Sequence, residues 1–401
     1  MNLARIFSII TFVFLPFQNL FSAGQFLSIS FIAAILSAVF LLLFGVKFSA
    51  IGLAKSTGYT APLLLAAIAS LLLNNFGSAI DSQEVIRSLR TILFMLVFCL
   101  SLYLIQCKFK YVDIAKWIAT GVIVSALYGM IDFCLSNYYN FYLDDYLYRF
   151  SVKENTGALA GIIRNRSTFG EPGLFALFIS AITPMIIFEI NAQRKIVRLA
   201  LYVLLILSFF TTFSATQFSI LILGGVVYSL FRKKFLSTFI LVALVVSTAA
   251  YTVDLPPAVN VFLGKLALSS EYTEDASRLD RLDRIDSGFN ILAKRVENEE
   301  LTKIAFGGGP GWIASTFEGR GLVNTYLYFV LEFGLIGLFV FLIYLQIIWT
   351  ANARKLDYGF RYSFLVLIVS LFALQGNYEL FVMVAFWFMQ LTASNKATFK
   401  P

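Results

Sequence analysis

Twelve apolar runs divide this chain, near residues 6–21, 26–46, 60–77, 89–107, 116–134, 171–190, 199–213, 216–231, 235–253, 323–349, 362–375 and 377–393. Inside a bilayer every peptide N–H and C=O must find its partner within the protein, so a spanning segment is either an α-helix or a strand of a closed barrel. Barrel strands are stretches of roughly ten residues that alternate apolar and polar. These runs are continuous, and 59% hydrophobic residues against 13% charged place the whole chain in the helical class. The expectation is an all-α polytopic integral membrane protein with about 12 transmembrane helices, a single membrane domain over residues 1–401.

One stretch resists a simple count. The 33 residues between Arg198 and Arg232 are all but uninterrupted apolar sequence, and a single helix of that length would be about 50 Å long against a hydrocarbon core of roughly 30 Å. Two short spans turning near Ser214-Ala215-Thr216 resolve the mismatch. The segment from Arg361 to Lys396 divides in the same way at Gln375-Gly376-Asn377. With the N-terminus inside, 17 of the 31 basic residues collect on the cytoplasmic side with Asp113, Glu189 and Asp357 as their only acids, as the positive-inside rule requires. Both termini are then cytoplasmic, and Trp117 and Trp349 fall at cytoplasmic helix ends, where interface aromatics belong. The first run has the outline of a signal peptide, with Arg5 before it and Ser22-Ala23-Gly24 after it, and is read as a retained helix.

Composition removes several kinds of chemistry. The chain has no histidine, so His general bases, His-ligated zinc and His proton relays are excluded, and acid–base work falls to carboxylates, Tyr or Lys. Cys99, Cys107 and Cys134 are odd in number and lie in or beside apolar runs; they form neither a disulfide framework nor a metal site and read as packing residues. The net charge of +8 is largely topological, and nucleic-acid binding has no separate support. No cofactor and no metal are expected.

The charged residues outside the cytoplasmic set gather in two outer loops, 135–169 and 254–322. The second holds 69 residues with 8 Lys+Arg and 11 Asp+Glu, and such a segment is expected to fold in water against one membrane face. In the first loop Arg164-Asn165-Arg166-Ser167-Thr168-Phe169-Gly170-Glu171-Pro172-Gly173 leads directly into a span, with Pro172 at the first helical position and Glu171 at the N-cap. Two arginines before a helix N-terminus suit a phosphate or pyrophosphate; contact of Arg164 and Arg166 with lipid headgroups fits equally well. In the second loop Leu279, Leu282, Ile285, Phe289, Leu292 and Val296 step by three and four, the mark of an amphipathic helix. Arg278, Arg281 and Arg284 drift about 60° per triplet around it, and the i,i+4 pairs Glu274 with Arg278 and Asp280 with Arg284 suit a salt-bridged, solvated face. Phe306-Gly307-Gly308-Gly309-Pro310-Gly311-Trp312 lacks the Gly-Lys-Ser/Thr ending of an ATP-binding loop and reads as a turn of close backbone approach.

Taken in order, the decapeptide from Arg164 to Gly173, Arg284 ahead of Gly307-Gly308-Gly309-Pro310-Gly311, and Asn324-Thr325-Tyr326-Leu327 followed by Glu332-Phe333-Gly334-Leu335-Ile336-Gly337 resemble the bacterial O-antigen polymerase and O-antigen ligase superfamily. The resemblance covers most of the chain and rests on the order of the motifs together with span count and loop placement. It implies a metal-independent glycosyltransferase of the bacterial inner membrane, with its site on the periplasmic side, acting on undecaprenyl-pyrophosphate-linked oligosaccharides. Ligases of this kind carry a His just before the Asn of the Asn-Thr-Tyr-Leu motif, where this chain has Val323. A repeat-unit polymerase is therefore favoured over an O-antigen ligase, with a chain-length-determining co-polymerase and the membrane lipids as its other partners.

A sugar on a pyrophosphate already has a good leaving group. The protein must neutralise the charge that grows on the departing phosphate and hold two lipid-linked glycans end to end. Arginine suits the first task through its permanently charged, bidentate fork. Arg164, Arg166 and Arg284 are expected to grip the pyrophosphate, with Arg281 in reserve, and Asn324 and Tyr326 to orient sugar hydroxyls. Glu171 is the first candidate for the base, Asp132 and Glu332 the alternatives. The rival from another class is a lipid-linked oligosaccharide flippase or transporter. Against it, Asp132, Glu332 and Glu379 lie toward one side of the membrane and no internal repeat is visible, whereas alternating access uses a midplane site between related halves.

Overall fold

A computed structural model of the chain describes residues 2–18, 28–47, 65, 68–69, 82–143, 146, 158–159, 161–191, 193–230, 259, 261–262, 276–317, 322, 324–353, 358–373 and 380–395. Among these the helices are α1 Asn2–Val13, α2 Ile29–Leu43, α3 Ser82–Lys108, α4 Tyr111–Tyr138, α5 Pro172–Asn191, α6 Lys195–Phe210, α7 Ala215–Leu230, α8 Ala276–Glu297, α9 Leu301–Phe306, α10 Trp312–Thr316, α11 Thr325–Ala353, α12 Tyr358–Ala373 and α13 Leu380–Asn395. A two-residue hairpin, β1 Ala158–Leu159 with β2 Ile162–Ile163, precedes α5.

The protein is a mostly helical molecule with membrane character. Among the described residues three helices are long and apolar enough to cross a membrane: Ser88–Lys108 in α3, Tyr111–Tyr138, and Thr325–Thr350 in α11. Shorter apolar helices accompany them, among them α1, α2 and most of α5 and α12. Ten of the twelve apolar runs carry a helix. The run 235–253 lies outside the described residues, as does the break at 375–377, and of 60–77 only Leu65, Ile68 and Ala69 are described. The long run after Arg198 is divided as its length demands. α6 stops at Phe210 and α7 begins at Ala215, and between them Phe213 takes a left-handed φ of 45°. Both helices pack on α5, and α6 also packs on α4 and α7 on α12.

At the centre stands α13. Residues 381–389 are all buried, nine in succession, so this helix is covered on every side, as a helix apolar all round must be. Phe381 meets Phe169 and Phe178, Trp387 stacks on Phe12, Phe388 lies against both Tyr111 and Phe360, and Phe386 meets Tyr344 and Phe364. One helix thereby joins α1, α4, α5, α11 and α12. Because lipid tails are as apolar as Leu, association inside a membrane depends on close fit and interhelical hydrogen bonds rather than on escape from water. Both occur at α1. A Cβ on Gly121 of α4 would approach Phe12 O to 2.8 Å, so only Gly admits α1 at this distance. Ser8 and Ser37 share a 2.7 Å hydroxyl contact between α1 and α2, and Ser30 donates to Thr11 O at 2.7 Å.

Candidate functional site

The motif residues ahead of α5 are gripped by hydrogen bonds to neighbouring elements and close a turn, Phe169 N donating to Arg166 O at 3.0 Å. Asn137, near the end of α4, holds the backbone of Ile163 at both ends: its Nδ2 donates to Ile163 O at 2.9 Å and its Oδ1 accepts from Ile163 N at 2.8 Å. Asn165 N donates to Thr211 O at 2.9 Å, and Asn165 Nδ2 to Thr211 Oγ1 at 3.0 Å, which ties the segment to the end of α6. Ser167 Oγ donates to Ser125 O of α4 at 2.7 Å, and Ser167 N to Asn165 Oδ1 at 3.0 Å. Thr168 Oγ1 then reaches Pro16 O at 2.5 Å, and Phe169 is fully buried beside Phe175, Phe178 and Phe381. Gly129 makes the approach possible, since a Cβ there would lie 2.6 Å from Asn165 Oδ1.

Asn165 and Ser167 are buried in the clamp, and the alternate residues Arg164 and Arg166 are only partly buried. Arg166 lies in the field of Asp132 and Tyr128 of α4. Its burial pulls the guanidinium pKa below the ordinary value, while Asp132 and Tyr128 act in the opposite sense. Glu171 is half-buried immediately before Pro172, which opens α5 as expected. Arg164, Arg166, Glu171 and Arg284 each engage at least one neighbour. The backbone of the segment is fixed by Asn137 and Ser125 of α4 and by Thr211 at the end of α6. Ser167 has a φ of 49°, a left-handed conformation that costs a non-glycine residue energy and is held here by the surrounding bonds.

A second assembly joins the large loop to α11. That helix is broken at Gly334, whose φ of 69° and ψ of −173° lie outside helical space. Gly307, in the glycine-rich turn, has nearly the same conformation, φ 76° and ψ −171°. The two breaks dock on each other. A Cβ on Gly334 would overlap the Ala305 carbonyl, and one on Gly307 would overlap the backbone of Glu332. Carbonyls released by the break are taken up by the turn, Gly308 N donating to Leu331 O at 2.8 Å and Gly309 N to Glu332 O at 3.0 Å. Irregular backbone within a span is tolerated only where protein covers it, and here the loop provides the cover. The loop is thus not wholly above the spans, because residues 307–311 are buried against one of them.

Glu332 fastens this joint. Its Oε1 accepts from Gly311 N at 2.6 Å and from Ser88 Oγ of α3 at 3.2 Å, and Ile313 N and the Tyr328 hydroxyl also bond the carboxylate. As an alternative base Glu332 is therefore badly placed, since its lone pairs are spent on structure. Arg295 of α8, overlooked in the sequence, is only 4% exposed. Its Nη1 donates to Leu331 O at 3.1 Å and its guanidinium lies 4.4 Å from the centre of the Trp312 ring, a cation–π contact. Burial lowers its pKa, opposed by Glu300. The seven-residue step from Gly288 to Arg295 is the sequence signal that places both on one helix face.

The remaining predicted residues sit around this second assembly. Arg281 and Arg284 are partly buried on α8; the side chain of Arg278 lies outside the described residues. Asn324 Oδ1 accepts from Leu327 N at 3.0 Å, which makes it the N-cap of α11. Tyr326 donates to Ile368 O at 3.1 Å and its ring centroid is 4.2 Å from that of Phe372, so it wedges α11 against α12. The polar atoms of Asn324 and Tyr326 thus serve the helix start and the helix contact. Among the described residues no group of three or more His, Cys, Asp and Glu side chains could hold a metal ion. In comparisons with known families and curated proteins, no family model and no curated protein matches the chain.

Proposed function

We propose that this chain is a metal-independent glycosyltransferase that polymerises surface polysaccharide, moving a glycan from an undecaprenyl-pyrophosphate carrier to the end of a second lipid-linked repeat unit. The observation that supports it is the clamped segment before α5, on which Arg164 and Arg166 alternate with residues bonded into α4 and α6. In the reaction the bond from the anomeric carbon to the pyrophosphate oxygen breaks and its electron pair leaves with the phosphate. The acceptor hydroxyl forms the new glycosidic bond and gives its proton to a carboxylate, for which Glu171 is the choice. Asp132 is better suited as the charge partner of Arg166. Arginines fixed in advance stabilise the departing charge without reorganisation, and Arg284, with Arg281 beside it on α8, completes the grip.

In this proposal the chain crosses the bacterial inner membrane twelve times with both termini cytoplasmic, and loops 135–169 and 254–322 face the periplasm. Its partners are lipid-linked oligosaccharides, a chain-length-determining co-polymerase and membrane lipid. Deleting the gene and separating surface glycan on a gel tests the reading. A single repeat unit on the lipid core is expected. Absent glycan with accumulated lipid-linked polymer would indicate a ligase instead, and precursor trapped on the cytoplasmic face a flippase.

A further inference from the structure

One face of α8 carries Arg281, Arg284 and the buried Arg295. At about 100° per residue, Arg284 stands within about 20° of Arg295 around the helix, and Arg281 within about 40°. Burial follows the same arc: Arg281, Arg284, Gly288, Ile291 and Arg295 are partly or fully buried, whereas Asp283, Asp286, Asn290 and Lys294, turned away from it, are exposed. The arc meets α11 at two points. A Cβ on Gly288 would come 2.6 Å from Leu327 Cδ2, and Arg295 Nη1 donates to Leu331 O at 3.1 Å. Between these points α8 advances seven residues, about 10 Å, and the contact on α11 four, about 6 Å, so the helices cross obliquely. Leu327 and Leu331 both precede the break at Gly334, and the attachment lies within the first half of α11.

A helix fastened at one point can pivot, and a second contact fixes its angle. Gly288 and Leu327 meet through apolar groups, which resist separation but not rotation. Arg295 supplies the direction. Its guanidinium donates to Leu331 O and, at 3.5 Å, to Lys303 O, and it lies 4.4 Å from the centre of the Trp312 ring, so α11, α9 and α10 together hold one planar group. Leu331 belongs to the carbonyl end of the first half of α11, where a cation is favoured. Nη2 is buried with no hydrogen-bond partner, a cost that an apolar side chain of similar size would not carry. We propose that Arg295 is a positioning residue, which sets the rotation and height of α8 on α11 and thereby the place at which Arg284, three turns earlier on the same face, meets the departing pyrophosphate. The proposal rests on the reading of Arg284 as part of the pyrophosphate grip; Arg295 itself, 4% exposed, is enclosed by protein.

Two measurements on the full chain in phospholipid vesicles test it. For the first, the exposed Cys107 and Cys134 are replaced by Ser, the buried Cys99 is kept, and spin labels are placed at the exposed positions Asp286→Cys of α8 and Phe339→Cys of α11. The interlabel distance should be narrowly distributed in this parent, at least twofold broader in Arg295→Met, and close to the parent in Arg295→Lys, which keeps a cation for Leu331 O. Equal widths in the parent and Arg295→Met would overturn the proposal whatever reaction the chain performs. For the second, turnover of undecaprenyl-pyrophosphate-linked repeat units is measured per folded molecule. Arg295→Met should lower kcat at least tenfold with KM within twofold, and Arg295→Lys should recover part. In an Arg284→Lys chain the same Arg295→Met change should cost less than threefold, because the two residues act through one contact. A tenfold loss in both backgrounds would make Arg295 a general stabiliser and overturn the positioning role. Normal turnover in Arg284→Ala would also overturn it, by removing Arg284 from the grip, and the distance measurement separates that failure of the transferase reading from a failure of the anchor.

Discussion

At the scale of single residues, the structure shows which residues hold backbone in place. Gly307 and Gly334 share a region of φ and ψ that is essentially restricted to glycine, and each also touches foreign backbone. Gly45 has a comparable φ of 67° but nothing within 4 Å of its would-be Cβ. Gly45→Ala should therefore cost about 1–2 kcal/mol and Gly334→Ala about 3–5 kcal/mol, read as thermal unfolding of the detergent-purified protein; equal losses would refute the docked joint. At Arg166 the expected effect is on turnover. Arg166→Ala should leave membrane-inserted protein that makes no long polymer, and Arg166→Lys should recover only part, because an ammonium lacks the fork. Normal polymer from Arg166→Ala would remove this residue from the pyrophosphate grip.

At the scale of elements, the joint between the loop and α11 is a unit whose parts explain one another. The break at Gly334 frees carbonyls, the glycine-rich turn bonds them, and Glu332 accepts from Gly311 N and Ile313 N at the start of α10. Removing the carboxylate strands buried donors, at about 1–3 kcal/mol each. Glu332→Ala should accordingly raise amide exchange across residues 307–316 at least tenfold over the wild type, and Glu332→Gln, which keeps an acceptor oxygen, should raise it far less. Unchanged exchange in Glu332→Ala would mean that the turn holds without its anchor. The segment before α5 is built on a similar plan, with Asn137, Asn165 and Ser167 supplying the bonds while Arg164 and Arg166 are only partly buried.

At the scale of the molecule, α13 is the element around which the others are arranged. Phe388 is 1% exposed and lies between Tyr111 and Phe360, whereas Phe339 of α11 is 64% exposed. Phe388→Ala should destabilise by about 3–5 kcal/mol through the cavity it leaves, and Phe339→Ala by less than about 1 kcal/mol. Comparable shifts in the two melting curves would show that α13 is not central. Amino-acid order alone was enough to locate the helices of ten of the twelve apolar runs, to divide the run after Arg198 and to mark Pro172 as a helix start, because hydrocarbon forces backbone bonding within each run and local chemistry sets the ends. It could not show that Glu332 is a fastener, that Arg295 is buried, or that α13 is enclosed while Leu282 and Phe289 of α8 are bare. Hydropathy reports how apolar a side chain is, and lipid and protein interior are apolar alike. Which of the two each side chain meets depends on contacts far apart in the chain, such as Ser88 with Glu332 and Ala305 with Gly334, and those exist only once the helices have packed.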